Sequence, residues 1–286
     1  MIPQGYAVVI LGLLSAIAWG SGDFGGGLLS RRAPLFGVVI VAQGAGAVAA
    51  LVLAIARNEP VPAGLDLAWS VGAGISGVVG ITALYHALAV GRMGVVAPVT
   101  GVLAAHVPVS IGFLSQGVPG TPVIVGIVVA LLAVVLVTRA PTHDPGRPSG
   151  LAWALVAGFA IGSFNTCAGQ LSTAGAFAPL VLIRVIQVGV LGLIVVIGRR
   201  AWRVDRGTAV RLAMVGLLDM TGNVAFILAA QTGHLAVAAV LSSLYPVTTV
   251  LLAIAVLRER VSRSHVAGIA LTAVAVALIG AGTATL

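Results

Sequence analysis

Five ionisable side chains of this 286-residue sequence lie inside long apolar stretches, and any chemistry is expected to centre on them. A charge at the middle of a lipid bilayer costs roughly 2.5–3.5 kcal/mol even on lenient scales, so residues of this kind usually have a specific task. They are Asp23, His86, His106, Arg184 and Asp219. For each of them the alternatives are a ligand or proton site and a structural role.

Asp219 and Arg184 are opposite charges within two different apolar stretches. Asp219 lies in the middle of residues 208–231, and Asn223 follows four residues later on the same helical face. The carboxylate fits a site for a substrate amine or a proton, a partner for Arg184, or a cap for a helix kink. Arg184 shares a face with Gln187 and either binds a substrate carboxylate bidentately or neutralises Asp219. We favour neutralisation for Arg184.

Asp23 lies four residues after Trp19, so the ring and the carboxylate share one helical face. Three glycines at 25–27 allow the helix to loosen or end there, which would leave Asp23 at a helix terminus instead of a binding site. At a distance of 142 positions Gly-Ser recurs in register, and Asn165 takes the place of Asp23.

Tyr85 and His86 lie in the last third of the third apolar stretch. A histidine that titrates near neutral pH suits a proton relay, but it also suits a hydrogen bond to a neighbouring helix. His106 lies between Pro98 and Pro108, where we expect a bend and assign packing or gating.

Other polar residues complete the predicted substrate-binding set. Gln43 and Gln187 align across the two halves at an offset of 144, and Ser242 and Tyr245 interrupt the apolar run of the ninth stretch. The full set is Trp19, Asp23, Gln43, Tyr85, His86, Asn165, Arg184, Gln187, Asp219, Asn223, Ser242 and Tyr245.

The composition is that of a membrane protein. Hydrophobic residues make up 59% of the chain and charged residues 8%, against about a quarter charged in soluble proteins. The net charge of +8 comes from loop arginines and forms no stripe, so nucleic acid is not an expected partner. The lone Cys167 excludes an internal disulfide and a cysteine-based zinc site.

The sequence contains no catalytic or cofactor-binding motif in the structural context that such a motif requires. The run Gly20-x-Gly22-x-x-Gly25 spells the dinucleotide fingerprint, but it lies in an apolar helix without a βαβ unit. No metal-spaced histidines and no nucleophile elbow occur. We therefore expect no enzyme, no cofactor and no metal.

Apolar windows long enough to cross a bilayer predict an all-α polytopic protein with ten transmembrane helices. The windows are 6–29, 35–56, 67–91, 94–115, 121–139, 150–173, 177–198, 208–231, 235–257 and 263–284.

A duplication divides these windows into two sets of five. The 142-residue offset also pairs Gly74 with Gly216 and Gly80 with Gly222. We predict one five-helix repeat at 1–140, a connecting loop at 141–149 and a second repeat at 150–286. Because five is odd, the second repeat must enter the membrane from the opposite side, giving a 5+5 inverted-topology repeat.

Loop arginines predict the orientation. Twelve arginines lie on one side and Arg57 alone on the other, which places both termini on the extracytoplasmic side of a bacterial inner membrane. The twelve are Arg31, Arg32, Arg92, Arg139, Arg147, Arg199, Arg200, Arg203, Arg206, Arg258, Arg260 and Arg263.

Two motifs resemble the EamA-type repeat of the drug/metabolite transporter superfamily. One is Ala18-Trp19-Gly20-Ser21 in the first window, and the other is Leu257-Arg258-Glu259-Arg260 before the last window. The first half has Gln116-Gly117-Val118 where the Glu-Arg pair would stand. The resemblance covers about residues 6–140 and 150–284, and it is nearest to bacterial amino-acid exporters.

This resemblance implies a secondary transporter, working as a monomer or homodimer, that exports amino acids or similar small metabolites by alternating access at a central cavity. A sugar or drug carrier of the same superfamily is the alternative. An intramembrane lipid-modifying enzyme that uses Asp23 or Asp219 as acid or base, and a structural scaffold, are the other two hypotheses.

Overall fold

The computed structural model of the chain describes residues 4–90, 93–138, 150–232, 234–257 and 263–283, and within these ranges the secondary structure is helical with no strand. The all-α prediction is therefore confirmed for the described chain. The predicted connecting loop at 141–149 lies outside the described residues, as do five of the loop arginines: Arg92, Arg139, Arg147, Arg258 and Arg260.

The described residues form eleven helices, numbered here in chain order. They are α1 Gln4–Ser30, α2 Leu35–Ala56, α3 Gly64–Val90, α4 Met93–Gln116, α5 Thr121–Thr138, α6 Leu151–Gly169, α7 Phe177–Gly198, α8 Arg206–Ala230, α9 Leu235–Ser242, α10 Tyr245–Leu257 and α11 Arg263–Thr283.

Six of the described helices are long and apolar enough to cross a bilayer, namely α1, α2, α3, α6, α7 and α8, with mean hydropathies of 1.5 to 2.8. Shorter apolar segments occupy Val99–Leu114, Thr121–Ala133 and Leu235–Thr249. Many large apolar side chains on the outer faces, such as Ile55, Val196 and Ile197, are exposed. A surface of this kind fits lipid as the surrounding solvent.

The structure decides one helix end that the sequence left open and divides one predicted window. Helix α1 continues through the glycines at 25–27 to Ser30, so Asp23 lies within the helix and not at its end. The predicted window 235–257 is instead two helices, because the chain turns at Ser243 and Leu244 before Pro246. Proline fixes φ and lacks an N–H, so it fits the first turn of a new helix better than the interior of a continuous one.

Helix α4 is continuous from Met93 to Gln116. The bend predicted around His106 does not interrupt this helix, and His106 itself is exposed.

Helix ends are set by local chemistry. Pro34 precedes α2, and the Asp205 side chain accepts a 3.0 Å hydrogen bond from the Thr208 amide at the start of α8. The bonds from Thr208 lower the pKa of the Asp205 carboxyl below its usual value. Arg199 ends α7 with a φ of 46°, a left-handed conformation frequent at helix C-termini.

The helices from the two halves of the chain pack on one another extensively. The main contacts are α1 with α8, α3 with α6, α2 with α7 and α8, α3 with α7, α4 with α6, α1 with α9 and α10, and α5 with α11. Because almost every helix of one half is packed on the other half, the buried core lies between the halves.

Glycines allow the closest of these approaches. A Cβ on Gly80 of α3 would lie 2.8 Å from Cγ1 of Ile161 in α6, and a Cβ on Gly222 of α8 would overlap the Trp19 ring in α1. Small residues at membrane helix interfaces let backbones approach and increase van der Waals contact. The glycine-rich composition therefore serves packing between the halves.

Candidate functional site

A cavity of about 490 Å³, counted out to its open mouth, lies between the two halves. Helices α1, α2, α3, α6, α7, α8 and α10 contribute to its wall. The lining residues are Trp19, Asp23, Gln43, Gly77, Ile81, Leu84, Ile161, Phe164, Asn165, Arg184, Gln187, Asp219, Asn223 and Tyr245. The cavity is thus shared by helices that are far apart in sequence.

Nine of the twelve predicted site residues lie in this wall, and Tyr85, His86 and Ser242 do not. Tyr85 is buried with its hydroxyl against Gly26, and His86 packs edge-on against the Trp153 ring with centroids 4.8 Å apart. Ser242 is fully buried at the end of α9. The structure brings the nine together, and their contact with substrate stays a prediction.

Arg184 and Asp219 form an ion pair across α7 and α8, as favoured from the sequence. The second terminal nitrogen of Arg184, Nη1, donates a 2.7 Å hydrogen bond to Oε1 of Gln187, one helical turn away. The Arg184 side chain is 2% exposed and that of Asp219 is 22% exposed. The guanidinium is therefore buried in protein, whereas its carboxylate partner borders the cavity.

Asn223 stabilises the same region of α8 through the backbone. Its side-chain amide donates a 2.6 Å hydrogen bond to the carbonyl oxygen of Asp219. This bond uses the backbone of residue 219 and not its carboxylate, so it is independent of the ion pair with Arg184.

Asp23 is the second carboxylate of the wall, and within the described residues it has no ion pair or hydrogen-bond donor. It lies on α1 next to Gly22, where a Cβ would be 3.7 Å from the backbone nitrogen of Asp219. The two carboxylates therefore belong to adjacent walls of one cavity, and Arg184 neutralises only one of them.

Several buried polar atoms of the wall lack a hydrogen-bond partner among the described residues. They are Oε1 of Gln43, Oδ1 of Asn165, Nε of Arg184 and the hydroxyl of Tyr245. Leaving a polar group buried and unpaired costs about 1–3 kcal/mol, so groups of this kind are usually satisfied by water or a ligand. All four atoms belong to residues of one cavity wall, so this wall has hydrogen-bonding capacity that the described protein groups do not use.

The apolar part of the wall was not predicted from the sequence. It consists of residues on α3 and α6: Gly77, Ile81, Leu84, Ile161 and Phe164. The duplication offset of 142 would have identified three of them as equivalents of predicted site residues. Gly77 is equivalent to Asp219, Ile81 to Asn223 and Ile161 to Trp19. At two of these pairs, 77/219 and 81/223, the second half presents a polar side chain where the first presents an apolar one or glycine.

Polar contacts also join the halves outside the cavity, at one end of the helix bundle. Oε2 of Glu59, just after α2, accepts hydrogen bonds of 2.7 and 2.8 Å from the amides of Phe177 and Ala178 at the start of α7. Asp66 accepts bonds of 3.0 and 2.5 Å from the amide and hydroxyl of Ser172. A carboxylate at a helix N-terminus is stabilised by the helix dipole, so the Glu59 contact ties the two halves together at this end.

Residues 148–281 match a family model described as the EamA-like transporter family. The second half of the chain is an EamA-like transporter domain. This domain supplies eight of the fourteen cavity residues, including Arg184 and Asp219, and the first half supplies the other six. With the six membrane-length helices, it points to a multi-pass membrane transporter of the drug/metabolite superfamily, acting on small molecules within the lipid bilayer.

A crystal structure described only as that of a protein is similar over 96% of this chain and 96% of its own, with a TM-score of 0.75 and 13% identity. At that identity the likeness shows a shared fold that extends over both halves of the chain, beyond the EamA-like domain. No curated protein sequence matches the chain.

Proposed function

We propose that the chain has ten membrane spans arranged as two inverted five-helix repeats, at residues 1–140 and 150–286. In this arrangement α9 and α10 together form the ninth span. In this arrangement α1, α2 and α3 are equivalent to α6, α7 and α8. The helix contacts support the proposal, because the contact of α3 with α6 has its equivalent in that of α8 with α1, and the contact of α2 with α8 has its equivalent in that of α7 with α3. Pairs that map onto themselves, α2 with α7 and α5 with α11, would lie on the pseudo-twofold axis.

Individual glycine contacts support the same exchange. Gly80 abuts Ile161 while Gly222 abuts Trp19, so both partners of the second contact follow from the first by the 142-residue offset. Gly74 abuts Ile186 while Gly216 abuts Ala42, which uses the offset of 144 for the second and seventh helices.

The direction of equivalent helices favours inversion over a parallel repeat. Glu59, after the end of α2, contacts the start of α7, whereas Gly37, at the start of α2, lies against Trp202 after the end of α7. Helices α2 and α7 are therefore antiparallel. Equivalent helices point in opposite directions only if the symmetry axis lies in the membrane plane.

The orientation that we propose places both termini on the extracytoplasmic side of a bacterial inner membrane. The loops that follow α2, α6 and α8 meet through Glu59, Asp66, Ser172 and Gln231, whose amide donates a 2.7 Å bond to the Ser172 carbonyl. Arg57 is the one predicted arginine of this end, so it is the extracytoplasmic end by the positive-inside rule.

We propose that the protein exports amino acids or similar small metabolites by alternating access. The observation that carries this proposal is the cavity between the halves, whose wall contains an unpaired carboxylate, an arginine–carboxylate ion pair and several residues with unsatisfied polar atoms. Rocking of the halves would open the cavity to one side at a time. Exposure to the extracytoplasmic side would require the Glu59 and Asp66 contacts to separate.

Counterflow of radiolabelled amino acids into proteoliposomes tests the function. Saturable uptake that depends on preloaded unlabelled amino acid is expected from the native protein and is expected to be lost in Asp219→Ala. Gly189→Ala is the matched control, because no described atom lies within 4 Å of the added methyl group. Absence of saturable flux for every amino acid would overturn the export proposal.

A further inference from the structure

The charges of the cavity do not balance. Its wall contains two carboxylates, Asp23 and Asp219, and one guanidinium, Arg184, which is paired with Asp219. With these groups ionised, an empty cavity carries one net negative charge, located at Asp23. An unpaired charge in a low-dielectric site is costly, and one positive charge in the ligand would remove that cost.

Arg184 is a poorer partner for a ligand carboxylate than its charge suggests. Both of its terminal nitrogens already donate hydrogen bonds, to Gln187 and Asp219. Each terminal nitrogen keeps one further N–H, and Nε, which has no partner among the described residues, lies beside Gly46, where a Cβ would be 3.5 Å away. Because the guanidinium is 2% exposed and its charge is already balanced by Asp219, a ligand carboxylate placed there would add an uncompensated negative charge to the buried site.

The wall on α3 and α6 defines the other end of the ligand. Ile81, Leu84, Ile161 and Phe164 form an apolar surface there, and Gly77 lets the Phe164 ring approach the α3 backbone. The wall residues with unpaired buried polar atoms belong to α2, α6, α7 and α10, and Asp23 belongs to α1. A ligand that satisfies both surfaces carries one polar cationic end and one compact apolar end.

We propose that the cavity recognises its ligand through an ammonium group on the Asp23 carboxylate and an apolar body on the α3–α6 wall, with no requirement for a ligand carboxylate. This inference rests on the proposed carrier function and deepens it, since it names amphipathic primary amines as the substrate class. Apolar amino acids bind as members of this class, through the amine end.

Three probes that share one apolar body separate the two ends of the ligand. They are leucine, isoamylamine, which lacks the carboxylate, and isocaproate, which lacks the amine. Binding to the purified full chain in detergent is measured by isothermal titration calorimetry. Isoamylamine is expected to bind at least as tightly as leucine, and isocaproate to bind roughly 10- to 100-fold more weakly, the range for loss of one hydrogen bond to a charged group.

Variants of Asp23 test the place of the ammonium. Asp23→Asn is expected to weaken isoamylamine binding by the same roughly 10- to 100-fold, and Asp23→Glu to restore most of the affinity. Asp205→Asn is the matched control, because this surface residue caps α8 far from the cavity wall and Asn is an equally good cap. Retention of native thermal stability in Asp23→Asn shows that the loss is one of binding and not of folding.

The outcomes distinguish this inference from the carrier function. Isocaproate that binds as tightly as leucine, or isoamylamine that binds as tightly to Asp23→Asn as to the native chain, would overturn the inference. If counterflow of amino acids persists in that case, the carrier function stands and only the amine-end recognition fails. If the native protein shows neither amine binding nor counterflow, both the carrier function and the amine-end recognition are wrong.

Discussion

The ion pair between Arg184 and Asp219 gives the sharpest test of the energetics of this fold. Arg184 is 2% exposed, so removing its partner leaves a buried guanidinium held only by Gln187. Breaking a buried pair from one side typically costs about 3–5 kcal/mol. We therefore expect Asp219→Ala to lower the free energy of unfolding by about that amount.

The reverse change is expected to cost less. Asp219 is 22% exposed at the cavity, so the carboxylate that remains in Arg184→Met is accessible to cavity water. Leaving a partly hydrated acceptor without its partner costs about 1–3 kcal/mol. The Asn223 bond to the backbone carbonyl of residue 219 remains in both variants and does not contribute to the difference.

The double variant isolates the pairing. Because Arg184→Met with Asp219→Ala leaves neither charge unpaired, its destabilisation is expected to fall below the sum of the single variants by about 1–3 kcal/mol. Unfolding by SDS in mixed micelles, followed by tryptophan fluorescence, gives the four free energies. Single effects that add within about 0.5 kcal/mol, or a larger cost for Arg184→Met than for Asp219→Ala, would refute the reasoning.

Three further predictions follow from the contacts between the halves. Gly222→Ala is expected to destabilise the fold by about 1–3 kcal/mol because its methyl group meets the Trp19 ring, whereas Gly189→Ala is expected to be neutral. The same SDS titration measures both variants, and equal stabilities would contradict the packing argument. Glu59→Gln weakens the acceptor for the amides at the start of α7. A cysteine that replaces Thr173 is therefore expected to react faster with a maleimide in that variant than in the native background. An unchanged rate would argue against Glu59 as a contact that holds the halves together. Cysteines replacing Asn58 and Arg199 are expected to react with a membrane-impermeant maleimide from opposite sides of intact cells, Asn58 from outside, and labelling of both from one side would overturn the inverted topology.

Much of the helix framework was predictable because a bilayer imposes a simple rule. In lipid only a helix satisfies all its backbone hydrogen bonds within one segment, and its side chains must be apolar. Each membrane-spanning helix is therefore recognisable in the sequence as a long apolar run. Window 35–56 matches α2 at both ends, and window 177–198 matches α7. The intramembrane polar residues were equally visible, since a residue such as Asp219 stands out against an apolar background.

The sequence misled where local propensity and packing compete. Three glycines at 25–27 permit a helix end, but α1 continues to Ser30, with Gly26 against the Tyr85 hydroxyl and Gly25 near Val215. The apolar wall of the cavity was missed for a related reason. Ile81 and Phe164 are ordinary membrane residues by type, and only their position in the cavity wall gives them a role.

The sequence by itself determined the solvent of this protein, its helices and the short set of costly polar side chains, because each of these follows from local hydrophobicity. The tertiary structure alone decided which charges meet. Helices α7 and α8 both pack against α2, and in this arrangement Arg184 of α7 pairs with Asp219 of α8. That choice leaves Asp23 unpaired, and no pattern along a chain encodes it, since it depends on distances between helices that are remote in sequence.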